Sequence, residues 1–276
     1  MSGSPSRPAA PSPSERFLPG LQGPLRIEQY FDAARSRTPL VLLLHGALRY
    51  SGDLASWASA CAEYLDFAAA NLPGHGGSFV PTGVSLAHMS AEIAALIQGA
   101  YAHRTVFIVG ESLGGLIGLA LATQPPSNLA GVVAADPFLS TLKLKDTAAG
   151  LQQTIRDYPA NAFVAQMALE IFGVPPEGSA ISDLRYVEYL ARLARPALVL
   201  TGEIPAVGLG ATIMPPLLDA DDRKLIRGLT AEHLSLREIP GVGHTLLSEN
   251  PAATLAHVRR FIATQTQPPP STADFP

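Results

Sequence analysis

Thr105-Val106-Phe107-Ile108-Val109 is an apolar run, and Gly110-Glu111-Ser112-Leu113-Gly114 follows it directly. The next residues, Gly115-Leu116-Ile117-Gly118-Leu119-Ala120-Leu121-Ala122, read as a helix. A Gly-x-Ser-x-Gly between a strand and a helix predicts a nucleophile elbow. The turn is sharp, its glycines permit close backbone approach, and the serine hydroxyl is pushed out over the end of a sheet. The N–H of Leu113 points the same way. The pentapeptide alone is weak evidence: with 24 glycines in 276 residues, chance supplies on the order of 0.1–0.2 matches per chain. The flanking strand and helix raise its weight, and the rest of the case depends on partners.

The bulk composition sets the frame. A chain of 276 residues that is 47% apolar and 15% charged suits one large α/β domain with a substantial core. A net charge of −4 and a pI near 6.0 leave no electrostatic footprint for nucleic acid. No stretch has eighteen uninterrupted apolar residues, so no membrane insertion is expected. The single cysteine, Cys61, shares a helical face with Leu54, Trp57, Ala58 and Leu65 and reads as a buried small side chain. One cysteine permits no intramolecular disulfide, which fits a reducing compartment. The N-terminal segment has no apolar h-region, so a cytoplasmic location is expected.

Short apolar runs alternate with helical patterns. Strands are expected at Leu25 to Phe31, Leu40 to Leu44, Phe67 to Asn71, Thr105 to Val109, Gly131 to Ala135, Ala197 to Thr201 and Ser235 to Ile239. Helices are expected at Asp53 to Leu65, Ser85 to Tyr101, Leu113 to Thr123, Ala220 to Leu229 and Pro251 to Thr264. This alternation predicts an α/β fold with a mostly parallel central sheet and helices on both faces. The segment 137–195 is too long for a plain crossover. Its helical patterns at Gln152 to Phe172 and Ile181 to Leu193 predict a helical cap over the carboxyl ends of the strands, inserted after strand 6. The expected organisation is a disordered Pro/Ser-rich tail (1–16), a core (17–136 and 196–266), the cap (137–195) and a second disordered tail (267–276).

A serine hydroxyl needs a base to take its proton. Of seven histidines, His244 is placed best. It follows a predicted strand and the loop Gly241-Val242-Gly243, and a helix begins at Pro251. A loop past one strand's carboxyl end can reach a serine past another's. His88, His103, His233 and His257 fall in or beside predicted helices and read as solvent-facing residues.

From about residue 24 to residue 265 the chain resembles the α/β-hydrolase superfamily, in its serine esterase and lipase-like branch with a helical cap. Leu40-Val41-Leu42-Leu43-Leu44-His45-Gly46 is similar to the family's strand and oxyanion loop. Leu72-Pro73-Gly74-His75-Gly76-Gly77-Ser78 is similar to its Pro-Gly-His-Gly-x-Ser loop. Gly110 to Gly114 matches the elbow, and Gly243-His244 with Glu249-Asn250-Pro251 matches the catalytic-histidine loop. The resemblance implies Ser112 as nucleophile, His244 as base, and the backbone N–H groups of Ala47 and Leu113 as the oxyanion hole. His45 and His75 are expected to fasten loops by hydrogen bonds, since a zinc site would need a third ligand and none is suitably spaced.

The acid departs from the common pattern. Many family members carry Gly-x-x-Asp after the seventh strand, where this chain has Gly202-Glu203-Ile204-Pro205. Three substitutes remain open. Asp136 ends the run Val132-Val133-Ala134-Ala135 and is preferred, because some relatives place their acid after the sixth strand. Glu203 is close by in sequence. Asp219, with Asp221 and Asp222, stands at the start of a predicted helix, where carboxylates serve as caps.

The expected function is a serine-dependent hydrolase that cleaves a carboxylic ester of a small or medium apolar acyl or aryl substrate. Arg49, Tyr50 and Phe138 are the expected substrate-binding residues, and no metal or other cofactor is expected. A base histidine must be neutral, so activity is expected to fall below roughly pH 6.5. Carbon–carbon bond hydrolysis, lyase or acyltransferase chemistry with the same triad is the alternative, and a non-catalytic ligand-binding protein is a third possibility. The oligomeric state is not legible.

Overall fold

A computed structural model describes residues 13–31, 39–55, 57, 61, 65–178, 180–203, 214–229 and 233–266. Eight strands form one sheet in the order β1-β2-β4-β3-β5-β6-β7-β8. They are β1 (Ser14–Pro19), β2 (Pro24–Gln29), β3 (Leu40–Leu44), β4 (Asp66–Ala70), β5 (Val106–Glu111), β6 (Leu129–Ala135), β7 (Ala197–Gly202) and β8 (Leu234–Ile239). From β4 to β8 every pairing is parallel, while β1, β2 and β4 pair antiparallel at one edge.

The central strands are apolar along most of their length because both faces are covered; Asp66 at the start of β4 and Glu111 at the end of β5 are the buried charges. Along β3, Leu40, Leu42 and Leu44 join one core cluster, and Val41 and Leu43 join another on the opposite face. β5 alternates the same way, with Val106 and Ile108 on one side and Phe107 and Val109 on the other. This is the period-two pattern of a strand buried on both faces. The first face is covered by α1 (Leu86–Gly99) and α2 (Leu113–Thr123). The second is covered by α8 (Pro251–Thr266), through Val258 and Phe261, together with Trp57 and Cys61. Cutting any of these leucines to alanine would cost about 2–5 kcal/mol.

The first helix is capped by Ser85, whose hydroxyl accepts the His88 N–H, a capping bond of the usual kind. The expected helix from Asp53 begins with a 3-10 turn at Ser51–Leu54, and most of its continuation lies outside the described residues.

Between β6 and β7 the chain forms α3 (Lys145–Asp157), α4 (Ala162–Phe172) and α5 (Val187–Ala191). The single helix expected from Gln152 to Phe172 is therefore two. Pro159 cannot donate to a helix and disfavours helical geometry at the residue before it, and Asn161 restarts the chain by accepting the Val164 N–H. Of the pattern from Ile181 to Leu193, only α5 is helical.

The expected disordered tail of 1–16 needs correction. Ser14, Glu15 and Arg16 belong to β1, which pairs with β2 from Ser14 opposite Gln29 to Pro19 opposite Pro24. The tight turn, with the Gly20 N–H on the Gly23 carbonyl, lets a mostly exposed strand satisfy its backbone against β2. Tail residues 1–12 and 267–276 lie outside the described residues. Another helix, α6 (Ala220–Gly228), precedes β8, and the short α7 (Leu246–Glu249) precedes α8.

Candidate active site

Ser112 ends the elbow between β5 and α2. Its backbone has φ 54° and ψ −115°, a conformation that a non-glycine residue avoids unless its surroundings impose it. The glycines explain how the chain gets there. A Cβ at Gly110 would lie 2.2 Å from the Gly114 backbone, and one at Gly114 would lie 2.4 Å from the Leu44 carbonyl oxygen. Among the described residues, three non-glycine residues have positive φ: Leu48, Ser112 and Asp136. All three follow carboxyl ends of strands, at β3, β5 and β6, so backbone strain is gathered at one end of the sheet.

His244 lies in the loop after β8, and its Nδ1 is 2.7 Å from Asp136 Oδ2. Both residues are buried. Three further donors hold the Asp136 carboxylate: the Thr201 hydroxyl at 2.8 Å, the Leu217 N–H at 2.7 Å and the Leu218 N–H at 3.4 Å. Every partner donates, which suits an ionised carboxylate that only accepts. His244 Nδ1–H then donates to Asp136, and Nε2 keeps its lone pair. Of the three acids weighed, Asp136 is the one in contact with His244. Glu203 is exposed, and Asp219 caps α6 by accepting the Asp222 N–H.

Ser112 and His244 line the same cavity, of about 220 Å³, with Arg49, Glu111 and Gly46. A larger cavity of about 800 Å³ adjoins it. The two share Ala47, Leu144, Phe172, Met214 and Leu217. The inserted segment thus supplies walls, through Leu144, Leu151 and Phe172. Of the expected substrate-binding residues, Arg49 lines the smaller cavity, whereas Tyr50 and Phe138 line neither. Phe138 is buried behind the wall, stacked on Phe172 at 5.0 Å.

Of the two expected oxyanion donors, Ala47 lines both cavities and Leu113 follows Ser112 directly in the chain. Leu113 is the first residue of α2, where N–H groups have no intrahelical acceptor. Ala47 lies in the loop after β3, which two histidines fasten. His45 Nδ1 donates to the Gly46 carbonyl at 2.7 Å, and its Nε2 accepts the Leu72 N–H at 3.0 Å. His75 Nδ1 donates to the Pro73 carbonyl, and its Nε2 accepts the Leu48 N–H at 3.2 Å. Both rings are therefore neutral Nδ1–H tautomers. Burial and the neighbouring His75 push His45 down to about 3, and burial lowers His75 as well. Among the described residues no group of three or more His, Cys, Asp or Glu side chains could hold a metal ion.

The cations near the cavities are already engaged. Lys143 Nζ bridges Asp219 at 2.8 Å and Asp222 at 2.9 Å. Arg49 pairs with Glu111 and with Asp53. Sequence reasoning missed Glu111 and Lys143. Glu111 was visible as a charge inside an otherwise apolar strand-to-helix junction.

A profile described as the alpha/beta hydrolase family matches residues 41–258. The chain belongs to the alpha/beta hydrolase family. It is 29% identical over 246 residues to a 2-succinyl-6-hydroxy-2,4-cyclohexadiene-1-carboxylate synthase of Serratia proteamaculans (strain 568), covering 81% of this chain and 93% of that one. It is 27% identical over 248 residues to the synthase of the same name from Escherichia coli O1:K1 / APEC, covering 81% and 94%. Among solved structures, a bacterial membrane phospholipase A superposes with a TM-score of 0.72 at 18% identity, covering 93% of this chain and 88% of that one. A Bacillus subtilis carboxylesterase superposes with a TM-score of 0.68 at 15% identity, covering 91% and 92%. At these identities the superpositions speak for the alpha/beta hydrolase fold. Among the described residues of this family member, no helix is long and apolar enough to cross a membrane.

Proposed function

We propose that the protein is a serine hydrolase that cleaves a carboxylic ester with an apolar acyl or aryl group. The observation that carries this reading is one cavity shared by a strained Ser112 and a His244 whose Nδ1 bonds the buried Asp136. His244 Nε2 takes the Ser112 proton as Oγ attacks the acyl carbonyl. Asp136 holds the ring in the tautomer this needs and offsets the charge of the imidazolium. The N–H groups of Ala47 and Leu113 receive the developing oxyanion. His244 then protonates the leaving alcohol, and water activated by the same ring releases the acid.

The residues 137–195 act in this reading as a cap, and the 800 Å³ cavity holds the substrate's apolar arm. Leu142, Leu151, Phe172 and Met214 supply an apolar lining. Lys143 and Arg49 are neutralised by two carboxylates each, so an anionic substrate would meet no cation free to receive it among the described residues there. A fluorophosphonate probe tests the reading. Wild type takes the label and Ser112→Ala does not; an unlabelled wild type would count decisively against it.

The likeness to the two synthases supports a second reading, in which the same constellation serves lyase-type chemistry and His244 draws a proton from carbon. Their names specify a succinyl group and a ring carboxylate. The occupied cations of this chain favour the ester reading over a substrate of that charge.

A further inference from the structure

Glu111 is a buried acid inside the elbow for which the proposed chemistry has no use. It is the last residue of β5, it precedes Ser112, and it is 1% exposed. Its two oxygens go to two different segments. Oε2 pairs with Arg49 Nη1, and Oε1 accepts the Leu247 N–H at 3.1 Å. Arg49 belongs to the loop after β3 that carries Ala47, and it is held on its far side by Asp53, with Nε 3.4 Å from Oδ2. Leu247 lies in α7, three residues past His244. One carboxylate therefore ties the nucleophile strand to the oxyanion loop and to the histidine loop.

Packing alone does not call for such a group. Apolar side chains of the same volume often stabilise a buried position at least as well as an ion pair does, and here the Glu111 end is buried while Arg49 keeps a quarter of its side chain exposed. Desolvation pushes the Glu111 carboxyl above its ordinary range, while Arg49, the Leu247 N–H and His244 pull it back. The charged groups set around His244 are Asp136 from the end of β6, Glu111 from the end of β5 with Arg49 behind it, and Glu249 on its own loop, which accepts the Gly243 and Thr245 N–H groups.

We propose that Glu111 is a positioning residue, which sets the oxyanion loop and the histidine loop against Ser112 and adds a second negative charge towards the imidazolium of His244. The proposal rests on the serine hydrolase reading. Reaction geometry is sensitive to such anchors, because a misplacement near 1 Å costs about 100-fold.

The test compares wild type, Glu111→Gln and Glu111→Asp on one p-nitrophenyl ester, with kcat, KM and the pH profile of kcat/KM. Glu111→Gln keeps the shape and loses the charge. Its kcat is expected to fall about 10- to 100-fold with KM nearly unchanged. Its acid limb is expected to move to lower pH, since less negative charge favours the neutral ring. Glu111→Asp keeps the charge and shortens the reach, so it loses kcat without that shift. A folded Glu111→Gln with wild-type kcat, or with an unmoved acid limb, overturns the proposal. Should Glu111→Gln fail to give a cooperative melt, Glu111→Asp decides by the same loss of kcat. If neither variant folds, Glu111 is a folding residue and the assignment fails. Fluorophosphonate labelling separates the two levels. A labelled wild type with an indifferent Glu111→Gln removes this inference alone, whereas an unlabelled wild type removes the hydrolase reading and this inference with it.

Discussion

Asp136 Oδ2 lies 2.7 Å from His244 Nδ1 and also 2.7 Å from the Leu217 backbone N–H. The same oxygen thus orients the ring and pins the stretch that forms a wall of both cavities. Asparagine at 136 would turn an N–H₂ towards donors. We expect Asp136→Asn to lower kcat by about 10⁴, as loss of the correct tautomer does in serine triads. Leaving donors such as the Thr201 hydroxyl unmatched should also cost about 1–3 kcal/mol. Steady-state kinetics beside a urea melt checks both, and wild-type turnover would sink the assignment of the acid.

Much of this site was legible because it depends on local chemistry. Glycines around Ser112 announce a strained turn, and an apolar run followed directly by Asp136 announces a strand whose carboxyl end faces a site. What stayed hidden depends on contacts distant in sequence. The partners Arg49 and Glu111 are 62 residues apart, and neither residue's neighbours in the chain signal the other. β1 stayed hidden for a different reason. It is an edge strand, mostly exposed, so the apolar pattern that marks a buried strand is missing, and Ser and Pro nearby read as a tail.

The elbow's dependence on close backbone approach makes Gly114→Ala informative. The added methyl would lie 2.4 Å from the Leu44 carbonyl oxygen and 2.8 Å from that of His45. Neither is a flexible side-chain end, so β3 or α2 must shift. We expect a loss of about 3 kcal/mol or more and slower fluorophosphonate labelling in whatever fraction folds. An unchanged melting temperature with normal labelling would show that the elbow tolerates the displacement.

His45 makes stability depend on pH. Its folded value of about 3 lies below the roughly 6.5 of an exposed histidine. Between those values the unfolded chain binds more protons than the folded one, so stability falls as pH drops below 6.5 and the loss levels off below 3. The limiting slope is about 1.4 kcal/mol per pH unit. Charging His45 would also cost it the acceptor role towards the Leu72 N–H. Buried His75 shifts the same way and adds to the slope. Urea titrations at pH 7 and pH 5 should show the loss, and His45→Gln should reduce the difference between them. Equal differences in the two proteins would show that His45 is not its source.

The engaged cations make a prediction about substrate charge. Lys143 is shared by Asp219 and Asp222, and Arg49 by Glu111 and Asp53, so a carboxylate on the substrate's arm would lose its hydration with no ionic partner to replace it. A methyl-ended arm would gain about 0.8 kcal/mol for each CH₂ buried against Leu151 and Phe172. Each added methylene should therefore raise kcat/KM by about three- to fourfold until the cavity is filled. The measurement is a series of p-nitrophenyl esters of graded chain length, run beside partners of equal length that end in a carboxylate. We expect the methyl-ended esters to lead at every length, by about 100-fold or more where the end group is buried. Filling the cavity with Leu151→Trp should lower the ratio of long-chain to acetate turnover. Preference for the carboxylate-ended series would instead favour the charge type named in the synthases, and would mean that Lys143 or Arg49 releases its acid to bind substrate.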